Sequence, residues 1–171
     1  MPNVFKLLNE NLERWALLFF YSLLVLTMAT EVIRREVFSY SSIWGEEIVR
    51  YSFIYLAWIG AASAVKERAH IRIDVLFHYV PNEVKSLLYI LGDLVMFAVA
   101  IMALYWSYET VAVSWKFGSV TDGLRLSKVW FLAAVPIGFS LMIFRLIQSL
   151  LRDVGDLRAG RSVFEGNKMF D

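Results

Sequence analysis

Four stretches of this sequence contain no charged side chain: Trp15–Thr30, Tyr51–Val65, Leu94–Tyr108 and Val129–Phe144. Each is 15 or 16 residues long, a little short of the ~20 apolar residues that a bilayer-crossing helix requires. Mostly apolar flanks extend every stretch, and basic side chains at the ends can reach back to the headgroups. The predicted spans are therefore residues 12–33, 47–66, 85–108 and 127–150. This pattern defines the expected fold class: an all-α integral membrane protein with four transmembrane helices and an interfacial helix before the second span. The spans occupy more than half of the 171 residues. Residues 1–171 are thus read as one four-helix transmembrane domain, with 152–171 as a polar cytoplasmic tail.

Composition agrees with a membrane protein. Hydrophobic residues make up 58% of the chain and charged residues 19%, against about 45–50% apolar residues in soluble domains. The first apolar stretch is read as a retained helix, because Met28-Ala29-Thr30 runs into Glu31 without a small-residue cleavage site. Cysteine is absent, which excludes disulfides and thiolate metal sites. The net charge of +1 selects no partner such as nucleic acid.

Lys and Arg set the expected topology. Eleven fall in the N-terminal segment, the middle loop and the tail, and six fall in the other two connections. The positive-inside rule places both termini in the cytoplasm.

Ahead of the second span, a serine-rich turn leads into Ile43–Arg50. Ser42 is the expected N-cap, and Glu46 and Glu47 sit in the first turn, where acids favour the helix dipole. Glu46 and Arg50 are four apart and can pair on one helix face. Trp44 is expected at headgroup depth. Small residues in the second span, Gly60, Ala61 and Ala64, mark a close-packing face. Pro136 and Gly138 are expected to kink the fourth span.

Asp93 lies within the third span, where a carboxylate costs about 2.5–3.5 kcal/mol on insertion scales. A helix–helix hydrogen bond is the expected role, ahead of a proton or sodium relay. His70, Asp74 and His78 recur every four residues, but they occupy a polar loop, so neither metal binding nor bis-histidine haem ligation is expected. The sequence has no phosphate-binding loop, no nucleophile elbow and no zinc-protease motif. Neither a catalytic site nor a cofactor is expected, and the chain is not read as an enzyme.

The run Ile43-Trp44-Gly45-Glu46-Glu47-Ile48-Val49-Arg50-Tyr51, then Gly60-Ala61-Ala62, then His70-Ile71-Arg72-Ile73-Asp74 resembles the small membrane subunit of tripartite ATP-independent periplasmic (TRAP) transporters. Pro81, Leu126, Trp130, Pro136-Ile137-Gly138 and Arg145 continue the pattern, so the similarity covers nearly the whole chain. Tyr55, Ala69 and Ser127 depart from it, standing where the family often has Trp, Gly and Pro.

The resemblance implies a subunit of the bacterial inner membrane that packs against a large transport subunit as scaffold. It also implies transient contact with a periplasmic substrate-binding protein, in sodium-coupled uptake of an organic acid such as sialic acid or a C4-dicarboxylate. Membrane lipid is the remaining partner. By the same resemblance, Trp44, Glu46, Glu47 and Arg50 would fix the start of the second span, and Gly60, Ala61 and Ala64 would pack closely. His70 and Asp74 would order the span's cytoplasmic end. Arg34, Arg35, Lys116 and Arg125 are candidates for periplasmic docking by position. Two other functions are weighed. An independent oligomeric transporter would use Glu31 or Asp93 as its coupling carboxylate, and a respiratory membrane anchor would bring haem or quinone.

Overall fold

The computed structural model describes residues 4–40, 42–67 and 82–159. These form four α-helices: α1 (Val4–Phe38), α2 (Ile43–Lys66), α3 (Asn82–Lys116) and α4 (Lys128–Arg158). No strand occurs among the described residues; a single antiparallel bridge joins Val120 and Ser127. All four helices are long and apolar enough to cross a membrane. Below, the terminal end is the end where α1 begins and α4 finishes, and the loop end is the opposite one.

The helices overrun the charge-free stretches. At 35 residues each, α1 and α3 are about 52 Å long at 1.5 Å per residue, against a hydrocarbon core of about 30 Å. Charged flanks do not end a helix; backbone geometry does. The chain leaves α1 at Ser39, whose φ of 49° is left-handed. It leaves α3 at Gly118, φ 57°, where the Ser119 N–H returns to the Ser114 carbonyl and the Gly118 N–H to that of Trp115. The segment Ile43–Arg50 is continuous with its span, so α2 is one straight run of 24 residues.

Neighbouring helices pack in the order α1, α2, α4, α3. Side-chain pairs give the registers. Phe20 stacks on Tyr55 between α1 and α2. Tyr51 meets Phe131 and Trp58 meets Phe139 between the parallel α2 and α4. Ala62, Val65, Ala100, Met142 and Leu146 form the buried core where α2, α3 and α4 converge.

One close approach depends on glycine. A Cβ at Gly138 would stand 2.6 Å from the Trp58 Cβ, an atom fixed next to the α2 backbone. Gly138 therefore lets α2 and α4 touch. Pro136 lies within α4, and the Ser140 hydroxyl donates to its carbonyl at 2.7 Å. Ser127 caps α4 by accepting from the Val129 N–H.

Towards the terminal end, α3 and α4 are polar inside and apolar outside. Ser86, Tyr89 and Asp93 of α3 and Ser149 and Asp153 of α4 are buried, while Leu87, Leu91, Leu94 and Leu151 are exposed. Water would invert that arrangement; lipid favours it, because apolar side chains meet acyl chains and polar ones find partners only inside.

Gly138→Val should cost about 1–3 kcal/mol through overpacking and lower the unfolding temperature in detergent. Gly155→Ala, where an added Cβ meets nothing within 4 Å, should leave that temperature in place.

Candidate functional site

The charged residues of the spans gather at the two ends of the bundle. At the loop end, the Glu31 carboxylate near the close of α1 accepts the Ser42 N–H at 3.2 Å and the Ser42 hydroxyl. Arg34, one turn further, lies 3.3 Å from the same carboxylate. Its guanidinium sits 5.0 Å from the ring centres of both Tyr40 and Trp44, within cation–π range. Gly45 faces Glu31 so closely that any Cβ there would overlap the carboxylate. Ser42 does occupy the N-cap position of α2, but its side chain makes no cap bond, because its hydroxyl is committed to Glu31.

Glu47 performs the second tie. Its carboxylate accepts the N–H of Gly123 at 2.7 Å and of Leu124 at 2.8 Å, fastening the loop between α3 and α4 onto α2. The Thr121 hydroxyl accepts from the Leu126 N–H inside that loop. Beside Glu47, a cleft of about 300 Å³ is lined by Arg50, Tyr51, Asp122, Lys128 and Phe131. Arg50 and Glu46 are both exposed and do not pair, although their spacing allows it. Arg50 turns instead toward the cleft.

Among the docking candidates, Arg34 is held within the chain by Glu31. Arg35 pairs with Glu36 at 3.3 Å with both side chains 68% exposed, a geometry worth little energy. Lys116 and Arg125 are exposed, and Arg125 has a left-handed φ of 51°.

At the terminal end, Glu13 is 2% exposed and joins three helices. Its Oε1 lies 2.5 Å from Arg145 Nε of α4, and its Oε2 lies 3.4 Å from Lys66 Nζ of α2. Arg145 also donates to Gln148 at 2.7 Å. One carboxylate thus serves two cations from two other helices. Sequence reasoning did not single out Glu13. The only signal was its place two residues before a charge-free stretch, mirrored by Arg145 directly after another. Pairing the two ends requires the topology.

Asp93 of α3 is buried and accepts the Ser149 hydroxyl of α4 at 2.7 Å. Of the small residues in α2, Gly60 stands at ordinary contact distance from Leu17 of α1. Ala61 is half-buried against the core cluster, and Ala64 is half-buried as well. Their neighbour Ala62 is wholly buried. His70 and Asp74 lie outside the described residues. No group of three metal-ligating side chains occurs among the described residues.

The fold and these sites define a multi-pass membrane protein in which Glu13, Glu31, Glu47 and Asp93 make helix-to-helix and helix-to-loop contacts. A family model described as "Tripartite ATP-independent periplasmic transporters, DctQ component" matches residues 24–156. The chain is 27% identical to the C4-dicarboxylate TRAP transporter small permease protein DctQ of Vibrio cholerae, covering 82% of this chain and 70% of that protein. It is 26% identical to the sialic acid TRAP transporter small permease protein SiaQ of the same organism, over 85% of this chain and 82% of that one. It is also 23% identical to the isethionate TRAP transporter permease protein DctMQ of Oleidesulfovibrio alaskensis; there the match covers 90% of this chain but spans only 25% of the relative. This chain belongs to the DctQ-component family of TRAP transporters, a family of transporter components and not of enzymes.

Removing one member of the buried pair, by Glu13→Ala or Arg145→Ala, should cost about 3–5 kcal/mol by stranding the other charge. The double variant Glu13→Leu with Arg145→Leu should recover much of that loss, as read by unfolding in graded detergent mixtures. Glu47→Gln should speed hydrogen exchange at the Gly123 and Leu124 amides while leaving exchange within α2 unchanged.

Proposed function

We propose that this chain is the fixed, non-transporting part of a TRAP permease. In this reading it packs beside a large membrane subunit that moves an organic acid with sodium. The observation that carries the reading is how the intramembrane acids are used. Glu13 binds Arg145 and Lys66, Glu31 binds Ser42 and Arg34, Glu47 holds the Gly123 and Leu124 amides, and Asp93 holds Ser149. An acid that couples ion movement to transport must exchange partners during the cycle. These acids link helix to helix and helix to loop. An independent transporter would need Glu31 or Asp93 for coupling, and both are bound within the chain.

Support for the large partner comes from the isethionate relative, in which the matched segment is a quarter of a longer permease. The remainder of such a chain is the natural counterpart of a separate large subunit here. Relatives named for isethionate, C4-dicarboxylates and sialic acid support an organic acid as the solute class. The excess of Lys and Arg at the terminal end supports an inner-membrane orientation with cytoplasmic termini, residues 152–171 on that side, and a periplasmic loop end. Arg35, Lys116 and Arg125 are then among the exposed cations that the loop end offers to a periplasmic binding protein.

Affinity purification of the chain from its native membranes, followed by mass spectrometry, tests this. A many-span partner at near-equal stoichiometry, together with loss of organic-acid uptake when either chain is deleted, is the expected result. Uptake by this chain alone in vesicles would refute it.

A further inference from the structure

Between α1 and α2, at the terminal end, lies a cavity of about 620 Å³. Its charged wall is Glu13, Arg14, Lys66 and Glu67, of which Glu13 is almost wholly buried, and its apolar wall is Leu17, Tyr21 and Leu56. The two walls are stacked along the membrane normal. The charges sit where the apolar run of α1 begins and that of α2 ends, at the height of the headgroups, and the apolar wall continues toward the bilayer centre. Leu18 and Tyr21 on the outer side of α1 are 49% and 57% exposed, so the cavity adjoins a surface that acyl chains would cover.

The charges are arranged for a zwitterion. Among the described residues, neither the Arg14 guanidinium nor the Glu67 carboxylate makes an ion pair or side-chain hydrogen bond. Lys66 is tethered to the buried Glu13 at 3.4 Å yet keeps 27% of its side chain exposed. Two cations therefore flank one accessible acid. Basic groups at the ends of membrane helices bind lipid phosphates. A polyanionic headgroup would set its second charge against Glu67, with Glu13 behind it. A quaternary ammonium has no N–H for Glu67 to accept, whereas a primary ammonium has three.

We propose that this cavity is a headgroup site for a zwitterionic phospholipid bearing a primary ammonium. The phosphate lies between Arg14 and Lys66, the ammonium meets Glu67, and the first acyl carbons lie against Leu17, Tyr21 and Leu56. The site is formed by this chain alone, so its test is independent of which solute the complete transporter moves.

The full-length chain, purified in mild detergent and stripped of lipid, is to be loaded with phosphatidylethanolamine, phosphatidylcholine or phosphatidylglycerol and weighed intact by native mass spectrometry. One phosphatidylethanolamine per chain should survive detergent exchange, with the other two lipids retained at least tenfold less. Arg14→Ala, an exposed position whose replacement should leave the helical circular dichroism unchanged, should lower that retention about tenfold. Glu67→Gln should narrow the gap between the ethanolamine and choline lipids. Excess inorganic phosphate should leave the bound lipid in place. Equal retention of all three lipids would mean annular lipid only, and preference for phosphatidylglycerol or displacement by phosphate would mean a simple anion site. Each of these results would overturn the proposal, as would retention unaffected by Arg14→Ala.

Discussion

The buried carboxylate of Glu13 sets the registers on which the bundle depends. A charge in apolar surroundings is costly unless its partners are in place, and here two cations from different helices converge on it. Sliding α4 along α1 by one turn would move Arg145 about 5.4 Å away from Glu13 and leave both charges stranded. Hydrophobic packing in lipid offers no comparable penalty, since an apolar side chain is as well placed against an acyl chain as against a neighbouring helix. Register therefore comes from the few polar groups. The Asp93–Ser149 hydrogen bond extends the same logic to α3, so polar contacts reach all four helices and act together with a set of steric ones.

The steric contacts lie between the polar ends. Gly138 admits Trp58, Phe20 stacks on Tyr55, and Tyr51 leans on Phe131. The Tyr55 hydroxyl donates to the Trp130 carbonyl at 2.6 Å. At the loop end, Glu31 and Glu47 replace hydrophobic contact with charge-assisted hydrogen bonds to backbone amides. A loop outside the hydrocarbon must satisfy its own N–H groups, and Glu47 does this for two successive residues at once. The result is a bundle stiffened at both ends, with an apolar exterior on α1 and α3 that suits lipid or another membrane helix.

Such a body fits a structural part of a transporter. Glu13, Glu31, Glu47 and Asp93 tie helices and a loop together, while exposed cations such as Arg35, Lys116 and Arg125 lie at the loop end. The contrast between Arg34 and Arg35 illustrates the division. Adjacent in sequence, one is drawn into the Glu31 and Trp44 cluster and the other points outward beside Glu36.

The amino-acid sequence by itself determined the class: four apolar, charge-free runs in 171 residues leave only a helical membrane fold, and the Trp44-to-Arg50 run with its companions marks the family. It also marked Glu47 as an acid at the start of the second span, Gly60 as a close-packing position and Asp93 as a carboxylate inside a span. Tertiary structure decided what each of them touches. Local spacing placed Glu46 with Arg50 and made Ser42 a helix cap; Arg50 lines a cleft without pairing to Glu46, and the hydroxyl of Ser42, at the N-cap position, serves Glu31, 11 residues away. Glu13 shows the limit most clearly. Its partner Arg145 is 132 residues distant, and no periodicity within a single helix encodes a contact that exists only once three helices have been laid side by side.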